Sequence, residues 1–425
     1  MGVSPALALK IISVSTRILC LNGQTTHRIV EDAAILGHSL GYSVSVIPAW
    51  NQFIIKLEKL QDVPDENPVI EGLVEVLDVS PVGVDMNKVS HTLDVLDKVR
   101  SGTLAVKQAL TRLDEISALP PASIVRFVLM AGLGAAALGL IFGVTDGLTL
   151  LAIFLSAALG AAARRVVARF SRSLFAQPLT AALLAGLFGA ILQTLKFDLS
   201  LQFLEVCPCM ILVPGAHIIN GSLDLARGRI SLGIARLTYS ALIILMICLG
   251  LLVGLWLGGQ TLAPDIVGQQ LPIIFDMLAA SLAIAAFGTF FSMPWRVLMV
   301  PMVVGAVAHA IRWSVIDAGQ DVVIGAAAAC FFVGIVATPL AHRLKLPFAA
   351  LAFVSVVSLM PGVFLFRMSS ALVEIYKLGG KSTEALLGHA ASDGMTTIMI
   401  CMAIAFGLII PKMMIDHYFF EKKLS

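Results

Sequence analysis

The side chains with chemical reach in this chain are ionisable groups set inside long apolar runs: Glu205, His217, Asp224, Arg236, Asp276, His309, His389 and Asp393. Charge inside hydrocarbon is costly, so such groups face a cavity, a partner or an interface. A carboxylate removed from water takes up a proton far more readily than one in solution, which makes Glu205, Asp276 and Asp393 candidates to carry a coupling proton. Arg236 is suited to hold a substrate carboxylate or to neutralise Asp393. Plainer roles compete with these: Asp276 lies near a span end, Arg236 can be an interfacial anchor, and His309 is expected at the outer interface rather than on a proton path.

A second feature decides how those groups are read. ILVPGAHIINGSLDLA (211–226) and SLMPGVFLFRMSSALV (358–373) resemble one another, each with a central Pro-Gly pair, Pro214-Gly215 and Pro361-Gly362. Proline removes a backbone donor and glycine loosens the helix, so both segments should bend or break. A break frees N–H and C=O groups able to bind a small zwitterion or carboxylate. His217, Asn220 and Asp224 follow the first pair and Arg367 the second. Interrupted apolar segments at matching positions of two halves point to the binding site of a secondary transporter.

Other motifs fail on context. Gly37-His38-Ser39-Leu40-Gly41 matches G-x-S-x-G, but a helix leads in and a strand follows, the reverse of a nucleophile elbow. Gly41 reads more simply as a helix terminator. No G-x-x-x-x-G-K-[ST] or H-E-x-x-H string occurs, so neither a P-loop motor nor that metalloprotease chemistry is expected. Five of the six cysteines fall in apolar segments, and Cys207-Pro208-Cys209 lacks metal-ligand spacing. Neither metal nor cofactor is expected.

The elements that must position these groups follow from composition. Of 425 residues 58% are hydrophobic and only 13% charged, against about 25% charged in soluble domains. Net charge is +2 and the basic residues form short clusters between apolar runs, which excludes a nucleic-acid partner. Residues 1–120 are the exception. Pro5–Leu21 and Thr25–Leu40 read as amphipathic helices, and the first is too interrupted by Lys10 and Arg17 for a cleavable signal. Gly41–Ile47 and Gln52–Leu57 read as adjacent strands, with further strand expected in Asn67–Gly83. Asn87–Val99 and Thr103–Ile116 are helical, and Pro120-Pro121 ends the unit.

From Ser123 onward ten segments are long enough to cross about 30 Å of hydrocarbon. They centre in 123–143, 147–163, 178–196, 200–220, 231–257, 271–291, 296–312, 322–341, 347–367 and 389–411. Arg164, Arg165, Arg169, Arg172, Arg227, Arg229, Arg236, Arg296, Arg343, Lys345, Lys412, Lys422 and Lys423 fall in loops or ends on one side, against Lys196, Arg312, Arg367, Lys377 and Lys381 on the other. The positive-inside rule then places both termini in the cytoplasm. Pro214 and Pro361 stand 147 positions apart, and LTYSALIILMICLGLLVG (237–254) resembles GMTTIMICMAIAFGLIIP (394–411) at a slightly longer offset. Under these alignments Arg236 corresponds to Asp393 and Asn220 to Arg367, positions that could meet at the repeat interface. Five spans per copy force the second to enter from the opposite side. The expected fold is therefore a polytopic α-helical membrane protein of about ten transmembrane helices as a 5+5 inverted repeat, with a small α+β N-terminal cytoplasmic domain. The expected units are 1–120, 121–262 and 263–425.

At this point the strings carry a resemblance. LNGQTTHRIVEDAAILGHSLGYSVSVIP is similar to the N-terminal signature of the threonine/serine exporter family, and VPGAHIINGSLDLARGRISLGIARL resembles its membrane signature in Pro214, Gly215, Asn220, Asp224, Gly228 and Arg236. MPGVFLFR resembles the equivalent signature of the second half, departing only in Met360 before the Pro-Gly pair. The resemblance implies a fused form, with both five-span units in one chain, exporting L-threonine and L-serine across the bacterial inner membrane on the proton motive force. Split relatives are linked instead to succinate.

The expectation is thus a proton-coupled exporter, not an enzyme, whose partners are a small amino acid or organic acid, protons and the lipid bilayer; a homo-oligomer is compatible with it. A dicarboxylate exporter is the alternative, with Arg236 and Arg367 supplying the two charges a dianion needs, whereas Arg236 beside Asp393 would suit a zwitterion. A second alternative is a membrane-anchored hydrolase using Ser39 with His38, His27 or His91.

Overall fold

The computed structural model describes residues 3–60, 72–80, 83–171, 173–195, 201–260 and 271–420. The expected boundary at 262/263, the residues 67–71 and 81–82 of the third strand region, Arg172 and Lys196 lie outside them.

The amphipathic reading of the first helices holds. α1 (Pro5–Leu21) opens on proline, which tolerates a first helical position, and buries Ile11, Ile12, Ile18 and Leu19. α2 (Thr26–Ser39) stops where Gly41 takes φ +88°, a conformation glycine adopts without strain. β1 (Tyr42–Ala49) and β2 (Gln52–Lys59) pair antiparallel through a two-residue turn at Trp50-Asn51. β3 (Leu73–Asp78) pairs with β2, giving the order β1-β2-β3. Pro48 is accommodated because β1 is an edge strand. Alternate residues Phe53, Ile55 and Leu57 turn one face of the sheet inward. α3 (Met86–Arg100), capped by the Asp85 carboxylate accepting from the Lys88 amide, and α4 (Val106–Ala118) complete one shared hydrophobic core spanning Ala8 to Ile116.

The remaining helices are α5 (Ile124–Ile141), α6 (Gly147–Phe170), α7 (Ala176–Thr194), α8 (Leu201–Met210), α9 (Gly215–Ala226), α10 (Ile230–Leu257), α11 (Ile273–Phe290), α12 (Trp295–Asp317), α13 (Val322–Leu344), α14 (Phe348–Val356), α15 (Gly362–Leu378) and α16 (Glu384–Ile415). Among the described residues eight helices are individually long and apolar enough to span a membrane. Two further pairs pass only together, each bent at a short break: α8–α9 by 53° and α14–α15 by 67°. Counting each pair as one crossing gives ten. Both breaks fall at the Pro-Gly pairs. Pro214 takes φ −84°, ψ 53° and Pro361 φ −79°, ψ 38°, nearly the same non-helical conformation.

Between straight helices, small residues let backbones approach closely, the usual device where lipid removes the hydrophobic drive. A Cβ added at Gly186 would lie 2.3 Å from the Leu251 carbonyl oxygen, and one at Gly254 equally close to that of Leu183, so α7 and α10 meet almost backbone to backbone. α13 and α16 repeat the arrangement, with Gly334 facing the Gly407 carbonyl.

Candidate functional site

The two broken spans cross at their glycines. Gly215, first residue of α9, faces the ring of Phe353 on α14, while Gly362, first residue of α15, faces Met210 at the end of α8. Each second half-helix thus seats against the other span's first half.

A cavity of about 290 Å³ opens at the first break. Val213, Pro214, Ala216 and His217 line it from the break and the first turn of α9; the Gly215 amide donates to the Val213 carbonyl and those of His217 and Ile218 to that of Pro214, so what this end offers a solute is the positive end of the helix dipole. Tyr239 of α10 lines it too, its ring edge-on to His217 at 5.5 Å and packed 5.6 Å from Trp50 of the β1–β2 turn. Among the described residues Arg164 of α6 is the one charged side chain in its lining. The site therefore offers attraction to an anionic group together with aromatic faces from Tyr239, Phe127 and Phe290.

Asp224 and Arg236 form an ion pair of 3.0 Å, with side chains 3% and 1% exposed, and Arg229 stands 3.6 Å from the same carboxylate. The hydroxyl of Thr26, from α2, donates to Asp224 at 3.0 Å and accepts from Arg236 Nη2 at 3.3 Å. Asn220 donates to the Gly23 carbonyl at 3.2 Å. The loop entering α2 is thereby bound to α9 and α10. On the same side Asp416 pairs with Arg227, His342 and Lys412, and Lys345 with Asp94 and Asp97 of α3. Burial works against the Arg28 charge, but Asp32 and Glu31 outweigh it and hold the guanidinium above its ordinary pKa.

The other half carries the converse pair. Arg367 of α15 meets Asp393 of α16 at 3.0 Å. Arg236 and Asp393 are therefore not partners: each finds its counter-ion within its own half, one helical hairpin away. Correspondence along the sequence gave equivalence of position but not adjacency. A reading of substrate held between those two charges falls with it.

Asp276 and His309 form a buried pair near the start of α11. The histidine Nδ1 lies 2.8 Å from Asp276 Oδ2, and its Nε2 is hydrogen-bonded to Ser358 Oγ. Asp276 sits in the first turn of α11 yet is only 4% exposed. Ser358 belongs to the 3₁₀ turn Val357–Leu359 just before the second break. Sequence reasoning missed Ser358 altogether, since a lone serine in an apolar run carries no local signal; its adjacency to Met360-Pro361 was the one available hint. Glu205 of α8 accepts from Gln193 of α7 at 3.0 Å, apart from these groups. Ser39 donates to the Leu36 carbonyl at 2.7 Å, and the order helix–turn–strand around it is opposite to that of a nucleophile elbow.

Comparison with known proteins now decides the family. A family model described as a threonine/serine exporter matches residues 10–258, more than half of the chain, and a second of the same description matches residues 276–414. The chain belongs to the threonine/serine exporter family. An uncharacterised protein of Haemophilus influenzae is 25% identical over 142 residues, 33% of this chain. The chain spans about half the length of that relative, 47%. No solved structure matches. Within this exporter family the chain carries both membrane units.

Proposed function

We propose that this exporter-family chain is a secondary transporter of small amino acids, L-threonine or L-serine, driven by protons across a bacterial inner membrane with both termini cytoplasmic. The observation carrying the reading is the cavity at the Pro214 break, where the first turn of α9 and Arg164 face a space sized for a small solute. The substrate carboxylate lies at the α9 N-terminus; the ammonium lies against Tyr239 and neighbouring rings. The reciprocal seating of Gly215 and Gly362 and the matched backbone at the two prolines support an inverted repeat of five spans each. In that frame Asp224–Arg236 closes the cytoplasmic mouth beneath Thr26, and Arg367–Asp393 closes the outer one.

A second reading, export of a dicarboxylate such as succinate, is favoured by one observation: among the described residues the lining of the cavity includes a cation but no carboxylate. Counterflow in proteoliposomes separates the two. Preloaded threonine or serine should drive uptake of the labelled amino acid, and Arg164→Gln should raise the half-saturating concentration. Succinate exchange without threonine exchange would establish the second reading, and no exchange of any of the three would refute both.

A further inference from the structure

Three polar side chains from three separate elements meet deep in apolar surroundings, and no part of substrate binding as described uses them. Asp276 comes from α11, His309 from α12 and Ser358 from the turn that precedes the second break. Their exposures are 4%, 0% and 4%. Placing an aspartate and a histidine together there costs solvation, which only mutual contact offsets.

We infer that Asp276, His309 and Ser358 form the proton-carrying chain of the transport cycle, with His309 as the group that takes the proton and Ser358 as its link to the break at Pro361. The inference rests on the transport reading and adds residues to it. An imidazole has one donor and one acceptor nitrogen when neutral and two donors when protonated. In the neutral form Nδ1–H donates to the Asp276 carboxylate, and Nε2 accepts from the Ser358 hydroxyl. Taking up one proton from water on one side places N–H on Nε2 as well. The Ser358 oxygen must then accept, and its own hydrogen turns toward another acceptor in the 3₁₀ turn. The Asp276 carboxylate balances the new imidazolium. Release of that proton on the other side restores the first arrangement, so each cycle forms and breaks one N–H bond. Protonation is thereby read out as a reversed hydrogen bond three residues before Pro361.

The charged groups around the chain are few. Arg312, one turn along α12 from His309, acts electrostatically on Asp276. Arg126 of α5 packs at the far end of α11, beside Thr289 and Met293, and Arg296 opens the far end of α12. Asp317 ends α12 and His342 and Arg343 end α13, while α14 and the 3₁₀ turn contribute no ionisable side chain. Burial of Ser358 and its place within the packed turn argue against its use as a hydrolase nucleophile despite the Asp–His–Ser order of contacts.

The test uses the full chain in proteoliposomes with two readouts: threonine exchange at equal pH, which moves no net proton, and threonine accumulation driven by an imposed pH gradient. His309→Gln and Asp276→Asn should lose gradient-driven accumulation while exchange continues. Ser358→Ala, which removes one hydroxyl bonded to the imidazole, should shift the pH midpoint of accumulation. Full gradient-driven accumulation by His309→Gln would overturn the inference, as would covalent labelling of Ser358 by a fluorophosphonate. If His309→Gln does not elute as a folded species, an unchanged pH midpoint in Ser358→Ala overturns it alone. Absence of exchange in the unaltered protein would instead strike the transport reading itself.

Discussion

Substituting Gly215 by alanine tests whether the two broken spans are mechanically joined. A Cβ at Gly215 would lie 1.8, 2.2 and 2.6 Å from Cε2, Cδ2 and Cζ of Phe353. Ordinary contact begins at 3.4 Å, so ring or helix must yield by about 1.6 Å. The ring has little freedom: it is fully buried, with Phe287 at 5.9 Å and Phe291 at 5.8 Å on other flanks. Overpacking of this kind costs about 1–3 kcal/mol. The reciprocal change, Gly362→Ala, brings its Cβ to 2.7 Å from Met210 Cγ, against an unbranched side chain that can change rotamer, and should cost less. Thermal unfolding in detergent and threonine counterflow read both effects. Gly215→Ala should lower Tm and transport more than Gly362→Ala, and Gly215→Ala with Phe353→Ala should recover part of the loss, with a coupling of about 0.5–3 kcal/mol. Strict additivity in the double variant, or an unaltered Tm in Gly215→Ala, would refute the crossing as a rigid contact.

Further outcomes follow from the charged groups. Arg236→Gln leaves Asp224 buried without its main counter-ion and should cost about 3–5 kcal/mol in stability; the exchanged pair Asp224→Arg with Arg236→Asp should recover part of the Tm, and no recovery would argue that Thr26 and Arg229, not the pair, hold the site. Glu205→Gln should keep the pH profile of export, since Glu205 stands apart from His309; a shifted profile in flux assays would return it to the coupling path. Burial pushes the Cys20 thiol up to about 12 from 9.0, with Asp224 adding to the rise and Arg236 opposing it. With the folded value raised, stability is intact below about pH 9 and falls as pH climbs from there toward about 12. Alkaline titration monitored by unfolding should show that loss reduced in Cys20→Ala, and maleimide should label Cys20 only after denaturation.

Much of the architecture was legible because apolar length and proline act locally. The straight spans, the breaks at Pro214 and Pro361, and α1 at Pro5–Leu21 follow from rules that operate within a few residues. α6 runs to Phe170, past the expected 163, because Arg164, Arg165 and Arg169 favour helix as well as water and lie near its end. Partnerships were less legible. Asp276, His309 and Ser358 are separated by 33 and 49 positions, and only the packing of α11, α12 and the turn before Pro361 unites them. Thr26 is a plain helix-entry threonine in the sequence, and its contact with Asp224, 198 positions away, has no local trace.

Because each bent rod rests its glycine on the other's leading arm, the pair behaves like the blades of scissors sharing one rivet. A displacement at either break therefore presses directly on the other span.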